Sequence, residues 1–268
     1  DKITESEVND FYKKINLDDP KKPISLGLNS KLIKVDGAIK EKVWKLDGMY
    51  SNSIEKIIFW LKKAMSVSEN DQQKKAFGLL IKYYETGDLK TWDDYNIEWV
   101  NTLEGDIDYI NGFIEVYNDP MAYKASFESV VQIKDFEMSK KMDALSKNAQ
   151  WFEDNSTISN NHKRKNVVGI SYNTVNVTSE AGATSPSSPI GINLPNANWI
   201  RAKHGSKSVS LGNILFSYAN AGSSGRINEF AYNKDQIEIE KKYGSDADDL
   251  HTALHEVIGH ASGKIIDG

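Results

Sequence analysis

The sequence predicts an α+β fold, and two kinds of hydrophobic periodicity support this. Apolar residues recur with a helical period in three successive stretches between residues 52 and 100. Strand character appears at 108–118 and 126–133, and at 167–177 apolar and polar residues alternate with the period of two that is typical of strands. The last predicted helix carries two histidines that flank a glutamate, and this arrangement points to a metal site.

The overall composition is that of a globular protein. The chain has 268 residues, of which 39% are hydrophobic and 26% charged, with a net charge of −5. That length suffices for one large domain or two smaller ones with a sizeable core. No cluster of basic residues stands out beyond 162–165, so a nucleic-acid partner lacks electrostatic support.

The absence of cysteine excludes disulfides, thiol nucleophiles and thiolate metal ligands. No apolar run approaches the ~18 residues of a membrane span, and so we expect no membrane partner. We expect a soluble protein, and the sequence leaves both a cytoplasmic and a periplasmic location open.

The first hundred residues predict a short helix, a pair of strands and three longer helices. Asn52 and Glu55 have the spacing of a capping box, which predicts that a helix starts near residue 52. Gly87 is expected to end the helix that follows. The predicted elements are helices at 5–14, 52–65, 71–85 and 91–100, and two short strands on either side of a turn at 35–37.

The remainder of the chain predicts strands, helices and a polar loop. Gly112, inside the strand at 108–118, indicates a bulge or a close approach of the backbone. Asn196 is expected to cap a short helix that ends at Gly205. The other predicted elements are strands at 126–133 and 167–177, a helix at 136–153, a loop at 178–189, a helix at 234–243 that closes at Gly244, and a metal-site helix capped by Ser245.

The most specific signal is the motif His255-Glu256-Val257-Ile258-Gly259-His260. Neutral imidazoles are good ligands for Zn²⁺, and a carboxylate beside them can take a proton from a zinc-bound water. In the common form of this signature the histidines are four residues apart, on one face of an α-helix. Here they are five apart, so they converge only where the helix widens, for instance in a single π-helical turn. Gly259 permits that distortion.

His251 offers an alternative pair of ligands. It lies four residues before His255, which is better spacing on an undistorted helix. Thr252 follows it, however, so this pair has no carboxylate after its first histidine. We therefore assign the metal to His255 and His260, and expect His251 to support the ligands or to cap the helix. A surface helix that carries two histidines without a function is the remaining interpretation.

A second group of polar residues lies at 112–120. If the segment is a strand, Phe113, Glu115 and Tyr117 share one face, because side chains alternate along a strand. An acid and a phenol would then stand side by side on one wall, while Ile114 points into a core. From the pattern alone, a solvent-facing strand surface with a tolerated acid is an equally fair interpretation.

The motif and three other blocks resemble the dipeptidyl peptidase III family of zinc exopeptidases. The resemblance spans roughly residues 25 to 264, and the blocks occur in the family's order. It is carried by the motif itself, by 261–264 directly after it, and by the blocks at 112–120, 189–196 and 210–213.

The resemblance implies a role for each site residue. In that family two histidines bind Zn²⁺ and the intervening glutamate is the general base, while a glutamate and two asparagines hold the free N-terminus and backbone of an oligopeptide substrate. A tyrosine hydrogen-bonds near the scissile carbonyl. The corresponding residues are His255 and His260 for zinc, Glu256 for the base, Glu115, Asn193 and Asn196 for the substrate, and Tyr117 for the carbonyl.

The same resemblance implies two lobes. One would be a substrate-binding lobe with a small β-barrel core and surrounding helices, formed by residues 1–135 and 172–222. The other would be mostly helical and would carry the metal-site helix, formed by 136–171 and 223–268. The resemblance further implies the activity of the protein, which would be a zinc-dependent exopeptidase that releases dipeptides from the N-terminus of oligopeptides.

The sequence departs from the family at the third zinc ligand. In the family this ligand is a glutamate in a downstream Glu-Glu-x-x-Ala-Glu/Asp block, which does not occur here. We therefore expect a central fragment of a longer, bacterial-type enzyme, in which the remainder of the same polypeptide, beyond Gly268, supplies the third ligand. We also expect the chain alone to be inactive.

Two other functions remain open from the sequence. The first is a catalytically inactive peptide-binding fragment, or a homologue that lacks the third zinc ligand. The second is a zinc endopeptidase. This second function is disfavoured, because Glu115 and the two asparagines would then have no substrate amine to hold.

Overall fold

Contacts within the chain divide it into two compact units. The computed structural model describes residues 3–15, 19–167, 170–185, 187–259 and 263–264. The first unit comprises Asp1–Gly105, Ile110–Ser129 and Pro195–His204, and the second comprises Asp106–Tyr109, Val130–Leu194 and Gly205–Gly268. Helices and strands are both present, which confirms the predicted α+β class. The β-barrel core and the bounds of the two predicted lobes stay predictions.

Several helices begin at a residue whose side chain accepts a hydrogen bond from the first turn. Asn70 accepts from the N–H of Gln73 at 2.8 Å, and Asp135 accepts from the N–H of Met138 at 3.0 Å. No helix in the described ranges is long and apolar enough to cross a membrane. The helices are α1 (Glu5–Lys13), α2 (Ser51–Ser66), α3 (Asp71–Thr86), α4 (Leu89–Asn101), α5 (Phe136–Lys147), α6 (Ala149–Asn155), α7 (Asn198–His204), α8 (Gly212–Phe230) and α9 (Lys234–Leu254), with a 3₁₀ turn at Asn160–His162 and a π-helical turn at His255–Gly259.

The strands form a hairpin and a larger sheet. They are β1 (Ser30–Val35), β2 (Ala38–Val43), β3 (Ile107–Phe113), β4 (Phe127–Lys134), β5 (Ile170–Gly182), β6 (Gly191–Leu194) and β7 (Ser206–Leu211). The hairpin pairs β1 with β2 across the predicted turn, where Asp36 and Gly37 have positive φ. The larger sheet has the order β3-β4-β5-β7-β6, with β7 parallel to β5 and antiparallel to β6.

Aromatic residues of α3 and α4 form the core of the first unit. Tyr83 and Tyr84 are at most 1% exposed, and the ring of Tyr83 lies 4.9 Å from that of Trp92 between centroids. A methyl group added at Gly112 would collide with the Trp92 ring. The close approach predicted for Gly112 is therefore confirmed, because only a residue without a side chain leaves room for this indole.

Two apolar clusters stabilise the second unit. Val175 of β5 packs with Val209 and Leu211 of β7 in the first cluster. In the second, Ala149 of α6 contacts Ala253 of α9, and Met138, Leu145, Val167 and Ile258 pack against this pair. The second cluster joins α6 to the helix that carries the histidine motif.

Three helix boundaries differ from the prediction. α2 begins at Ser51 after Tyr50, which has a left-handed backbone and no side-chain cap, so the capping box at Asn52 is wrong. The long helix predicted at 136–153 is two helices that meet at Asn148, where the Asn148 side-chain amide donates to the carbonyl of Ala144. α9 continues without a break through the stop and the cap predicted at 244–245.

The strand predicted at 167–177 extends further than the sequence indicates. β5 continues to Gly182 and so occupies part of the predicted loop at 178–189. A tertiary contact accompanies the extension, since the hydroxyl of Thr178 donates to the carbonyl of Val131 in β4 at 2.9 Å. Asn213, at the start of α8, holds the last residue of the predicted strand. Its side-chain amide donates to the carbonyl and accepts from the N–H of Val177, both at 2.9 Å.

Candidate active site

Helix α9 changes from α-helical to π-helical geometry at the histidine motif. Its α-helical part ends at Leu254, and the π-helical turn covers His255–Gly259. A π turn hydrogen-bonds residue i to residue i+5, so residues five apart come about one turn above each other. The widening that was predicted from the spacing of the two histidines is therefore confirmed.

The structure describes the three motif side chains to different extents. His255 is exposed, and its backbone N–H donates to the carbonyl of His251 one turn earlier. Glu256 contributes its backbone to the π turn, but its side chain and residue His260 lie outside the described residues. Among the side chains that are described, no group of three or more His, Asp or Glu is arranged to hold a metal. Zinc ligation by His255 and His260 stays a prediction, as does the supporting role of His251.

The chemistry of the motif fits a zinc ion. Imidazole nitrogens are among the commonest protein ligands of Zn²⁺, and catalytic sites use histidines together with carboxylates. The π turn supplies the geometric condition that two histidines five residues apart require. A straight α-helix over His255–Gly259 would have been incompatible with the binding of one ion by His255 and His260.

Glu115 and Tyr117 follow strand β3 instead of lying within it. The strand ends at Phe113, so the placement of Phe113, Glu115 and Tyr117 on one strand face is wrong. Backbone pairing continues for one more step, since the N–H of Ser126 donates to the carbonyl of Glu115 at 2.8 Å. A hydrogen-bonded turn over 116–119 then ends it. Glu115 is consequently held by its backbone at the edge of the sheet.

Asn196 contacts Glu115 directly. Its Nδ2 donates to Oε1 of Glu115 at 3.0 Å, although the two residues are 81 positions apart in the chain. α7 begins at Asn198, so Asn196 is not its N-cap, and the predicted capping role is wrong. The contact orients the carboxylate of Glu115 without neutralising its charge.

Tyr117 and Glu128 complete this group in the first unit. Tyr117 is 86% exposed, and the charge of Glu115 raises the pKa of its phenol above the usual value. Burial, together with the charge of Glu115, raises the pKa of Glu128 to about 7. The sequence interpretation missed Glu128. A signal for it was present, because Glu128 shares a strand face with the buried Val130.

Asn193 belongs to the second unit. It lies in β6 opposite Ser208 of β7, and its Nδ2 donates to the hydroxyls of Ser206 and Ser208. Its Oδ1 is buried and has no hydrogen-bond partner among the described residues. An unsatisfied buried acceptor is costly, so this oxygen is suited to accept an N–H from a ligand.

The predicted site residues are therefore distributed over both units. The first unit brings together Glu115, Tyr117 and Asn196, whereas Asn193 and His255 belong to the second.

The chain belongs to peptidase family M49, whose family model matches residues 29–268. It is similar to the dipeptidyl peptidase 3 of Nematostella vectensis, with 27% identity over 218 residues, and to that of Homo sapiens, with 26% identity. Each match covers 81% of this chain and 29% of the relative. The chain thus spans less than a third of the length of these curated relatives.

Solved structures show the same fold. The structure of DPP III from Caldithrix abyssi matches with a TM-score of 0.79 and 24% identity, over 97% of this chain and 48% of that chain. The structure of dipeptidyl-peptidase III from Corallococcus sp. strain EGB matches with a TM-score of 0.78 and 20% identity, over 97% and 47%. At these identities the likeness establishes the fold alone.

Proposed function

We propose that this protein is a zinc-dependent dipeptidyl peptidase, which releases dipeptides from the N-terminus of oligopeptides. The observation that carries the proposal is the π-helical turn at His255–Gly259, because it is the geometry that histidines five residues apart need in order to share one ion. Membership of peptidase family M49 and the similarity to dipeptidyl peptidases 3 support the same activity.

The metal would be held by His255 and His260, with the third protein ligand supplied by the rest of the same polypeptide. When bound, Zn²⁺ acts as a Lewis acid that polarises the scissile carbonyl and lowers the pKa of water. Glu256 is the general base, which takes a proton from the attacking water and gives it to the leaving amine. In the sequence Glu256 directly follows the proposed ligand His255.

The substrate's free N-terminus would be bound by Glu115. The Asn196 amide, 3.0 Å from the carboxylate, fixes one oxygen and leaves the negative charge for an ammonium group. Asn193 would accept a substrate N–H through its unpartnered Oδ1. An anchor for the free amine makes the enzyme an exopeptidase, because a peptide without a free N-terminus lacks the group that Glu115 binds.

Tyr117 would donate a hydrogen bond to the oxyanion that forms during attack. The charge of Glu115 raises the pKa of its phenol, so the hydroxyl stays protonated and remains a donor at neutral pH. A donor directed at developing negative charge stabilises the transition state more than the ground state. The high exposure of Tyr117 agrees with a group that meets the substrate and not with a core residue.

The proposal is tested by two variants of the complete protein, assayed on dipeptides joined to a chromogenic amine. Glu256→Gln keeps the shape of the side chain but cannot accept a proton, so we expect kcat to fall by at least about a hundredfold. Its zinc content and substrate binding should stay at the wild-type level. His260→Ala should lose the zinc, and the activity with it.

The outcomes separate the proposal from its alternatives. Wild-type turnover in Glu256→Gln would exclude Glu256 as the base, and loss of zinc in this variant would make it a ligand. A wild-type protein that binds oligopeptides, but does not bind zinc and does not hydrolyse the peptides, would be a peptide-binding homologue. Equal cleavage of free and N-acetylated peptides would indicate an endopeptidase.

A further inference from the structure

Glu153 of α6 is a fully buried glutamate, with 0% of its surface exposed. Fully buried glutamates are rare unless their charge is compensated. Here backbone N–H groups satisfy it. The N–H of Arg164 donates to Oε1 at 2.6 Å, and the N–H of Gly263 lies 3.1 Å from Oε1 and 2.9 Å from Oε2.

The segment that Glu153 holds is the chain directly after the histidine motif. Gly263 is three residues beyond His260, so the two Cα atoms are at most about 11 Å apart. Two more hydrogen bonds hold the segment, since Nε of Arg164 donates to the carbonyl of Gly263, and the N–H of Lys264 donates to the carbonyl of His162 at 2.8 Å. Gly263 has a φ of +74, which glycine adopts without strain.

α6 also contacts the metal-site helix before the motif and within it. Ala149, one turn before Glu153, packs against Ala253 of α9, which is 0% exposed. Ile258 of the π turn packs against the same pair. The short helix α6 therefore touches the chain on both sides of His255 and again just after His260. A wide turn that lacks the regular α-helical ladder needs such external support.

We propose that Glu153 is a positioning residue for the metal site. By binding the N–H of Gly263 it fixes the chain after His260, and so holds this histidine at the distance from His255 that one zinc ion requires. The inference rests on the proposed zinc site. It assigns the metal's affinity in part to a residue outside the histidine motif, more than a hundred positions earlier in the chain.

A purely structural role would have a different consequence. A buried carboxylate that only stabilises the fold would, when replaced, lower the stability of the zinc-free and zinc-loaded protein alike. A positioning residue changes the metal site itself in protein that is still folded. Zinc affinity and the coordination geometry of a substituted metal therefore separate the two roles, and catalytic activity alone does not.

The test uses the complete protein with Glu153→Gln and, as a matched control, Asp154→Asn. Asp154 is the next residue of α6 and is exposed, and its carboxylate accepts a hydrogen bond from the Gln150 side chain at 2.9 Å. The dissociation constant for zinc is measured by competition with a chelator, and the visible absorption spectrum is recorded after replacement of zinc by Co²⁺. Far-UV circular dichroism monitors folding.

We expect Glu153→Gln to raise the dissociation constant for zinc about 10- to 100-fold, the usual effect of losing a group that orients a ligand. The Co²⁺ spectrum should change, whereas Asp154→Asn should match the wild type in both measurements. A folded Glu153→Gln protein with wild-type zinc affinity and Co²⁺ spectrum would overturn the inference. So would an equal loss of affinity in the control.

A second variant covers the case in which Glu153→Gln does not fold. Arg164→Met keeps the backbone N–H that donates to Glu153 and removes only the guanidinium bond to Gly263. Zinc affinity should then fall by a smaller factor, and unchanged affinity would contradict the positioning of this segment. A wild-type protein that binds no zinc would instead refute the proposed function, which the wild-type titration reveals by itself.

Discussion

The carboxylate of Glu115 is oriented by a neutral amide and forms no ion pair in the described part of the chain. Its charge is therefore available for the substrate ammonium group of the proposed function. We predict that Glu115→Gln raises KM for dipeptide release at least about tenfold, because a charge-assisted hydrogen bond contributes about 1.5–3 kcal/mol. Steady-state kinetics on free peptides measures this, and stability should change little.

Glu104→Gln is the matched control, since this glutamate is exposed and lies in the same unit. It should leave KM at the wild-type value. N-acetylated peptides should be poor substrates for the wild type, because they lack the ammonium group. The amine-binding role of Glu115 would be wrong if Glu115→Gln and Glu104→Gln had the same KM.

Glu128 gives a prediction for the dependence of stability on pH. Burial first, and the charge of Glu115 second, raise its pKa in the folded protein to about 7, above the value of about 4.3 for an unfolded chain. The folded state thus holds the proton more tightly, and stability falls as the pH rises from about 4.5 to 7. Glu128→Gln removes this loss.

We predict that Glu128→Gln is more stable than the wild type at pH 8, by on the order of 1 kcal/mol after allowance for solvent screening. At pH 5 the difference should largely vanish, because Glu128 is then protonated. Denaturant unfolding at both pH values measures it. A difference that is the same at pH 5 and pH 8 would exclude a raised pKa as its cause.

At the scale of elements, the backbone at Gly259 in the π turn has no feature that requires glycine. Gly259 does not have a positive φ, and a methyl group added there would meet no atom of the described neighbours within 4 Å. Gly112 of β3 is the opposite case, because its added methyl group would collide with Trp92. Glycine is thus required by close packing at Gly112, whereas neither the backbone conformation nor close packing requires it at Gly259.

This contrast predicts opposite results for two alanine substitutions. Gly259→Ala should keep zinc binding and stability, with a gain of up to about 1 kcal/mol from helix propensity. Gly112→Ala should destabilise the protein by about 1–3 kcal/mol, because the Trp92 ring has to move within a packed core. Denaturant unfolding of both variants measures the difference, and a Gly112→Ala protein as stable as the wild type would contradict it.

At the scale of the whole molecule, the proposed zinc site has two imidazoles, those of His255 and His260, whereas zinc normally takes at least three protein ligands. We predict that a protein of these 268 residues binds zinc weakly and has little or no peptidase activity. Dialysis against a mild chelator, followed by metal analysis, measures this. Stoichiometric zinc after dialysis would show that the third ligand lies within these residues.

The sequence by itself determined the features that depend on local periodicity and spacing. The apolar stripes of α2, α3 and α4 and the turn between β1 and β2 follow from residues close together in the chain. The five-residue spacing from His255 to His260 required a widened helix, and the structure contains the π turn. The resemblance of the separated blocks also identified the family.

Only the tertiary structure decided the features that depend on distant partners. All six residues of β7 are buried, among them Lys207, whose ammonium lies 2.9 Å from Asp108, and so the strand shows no alternation. The contact of Asn196 with Glu115 and the burial of Glu153 against Gly263 join residues 81 and 110 positions apart. Whether a polar side chain is buried in the core or forms part of a site depends on the groups that hydrogen-bond to it. Those groups come from other parts of the chain, and no local pattern records them.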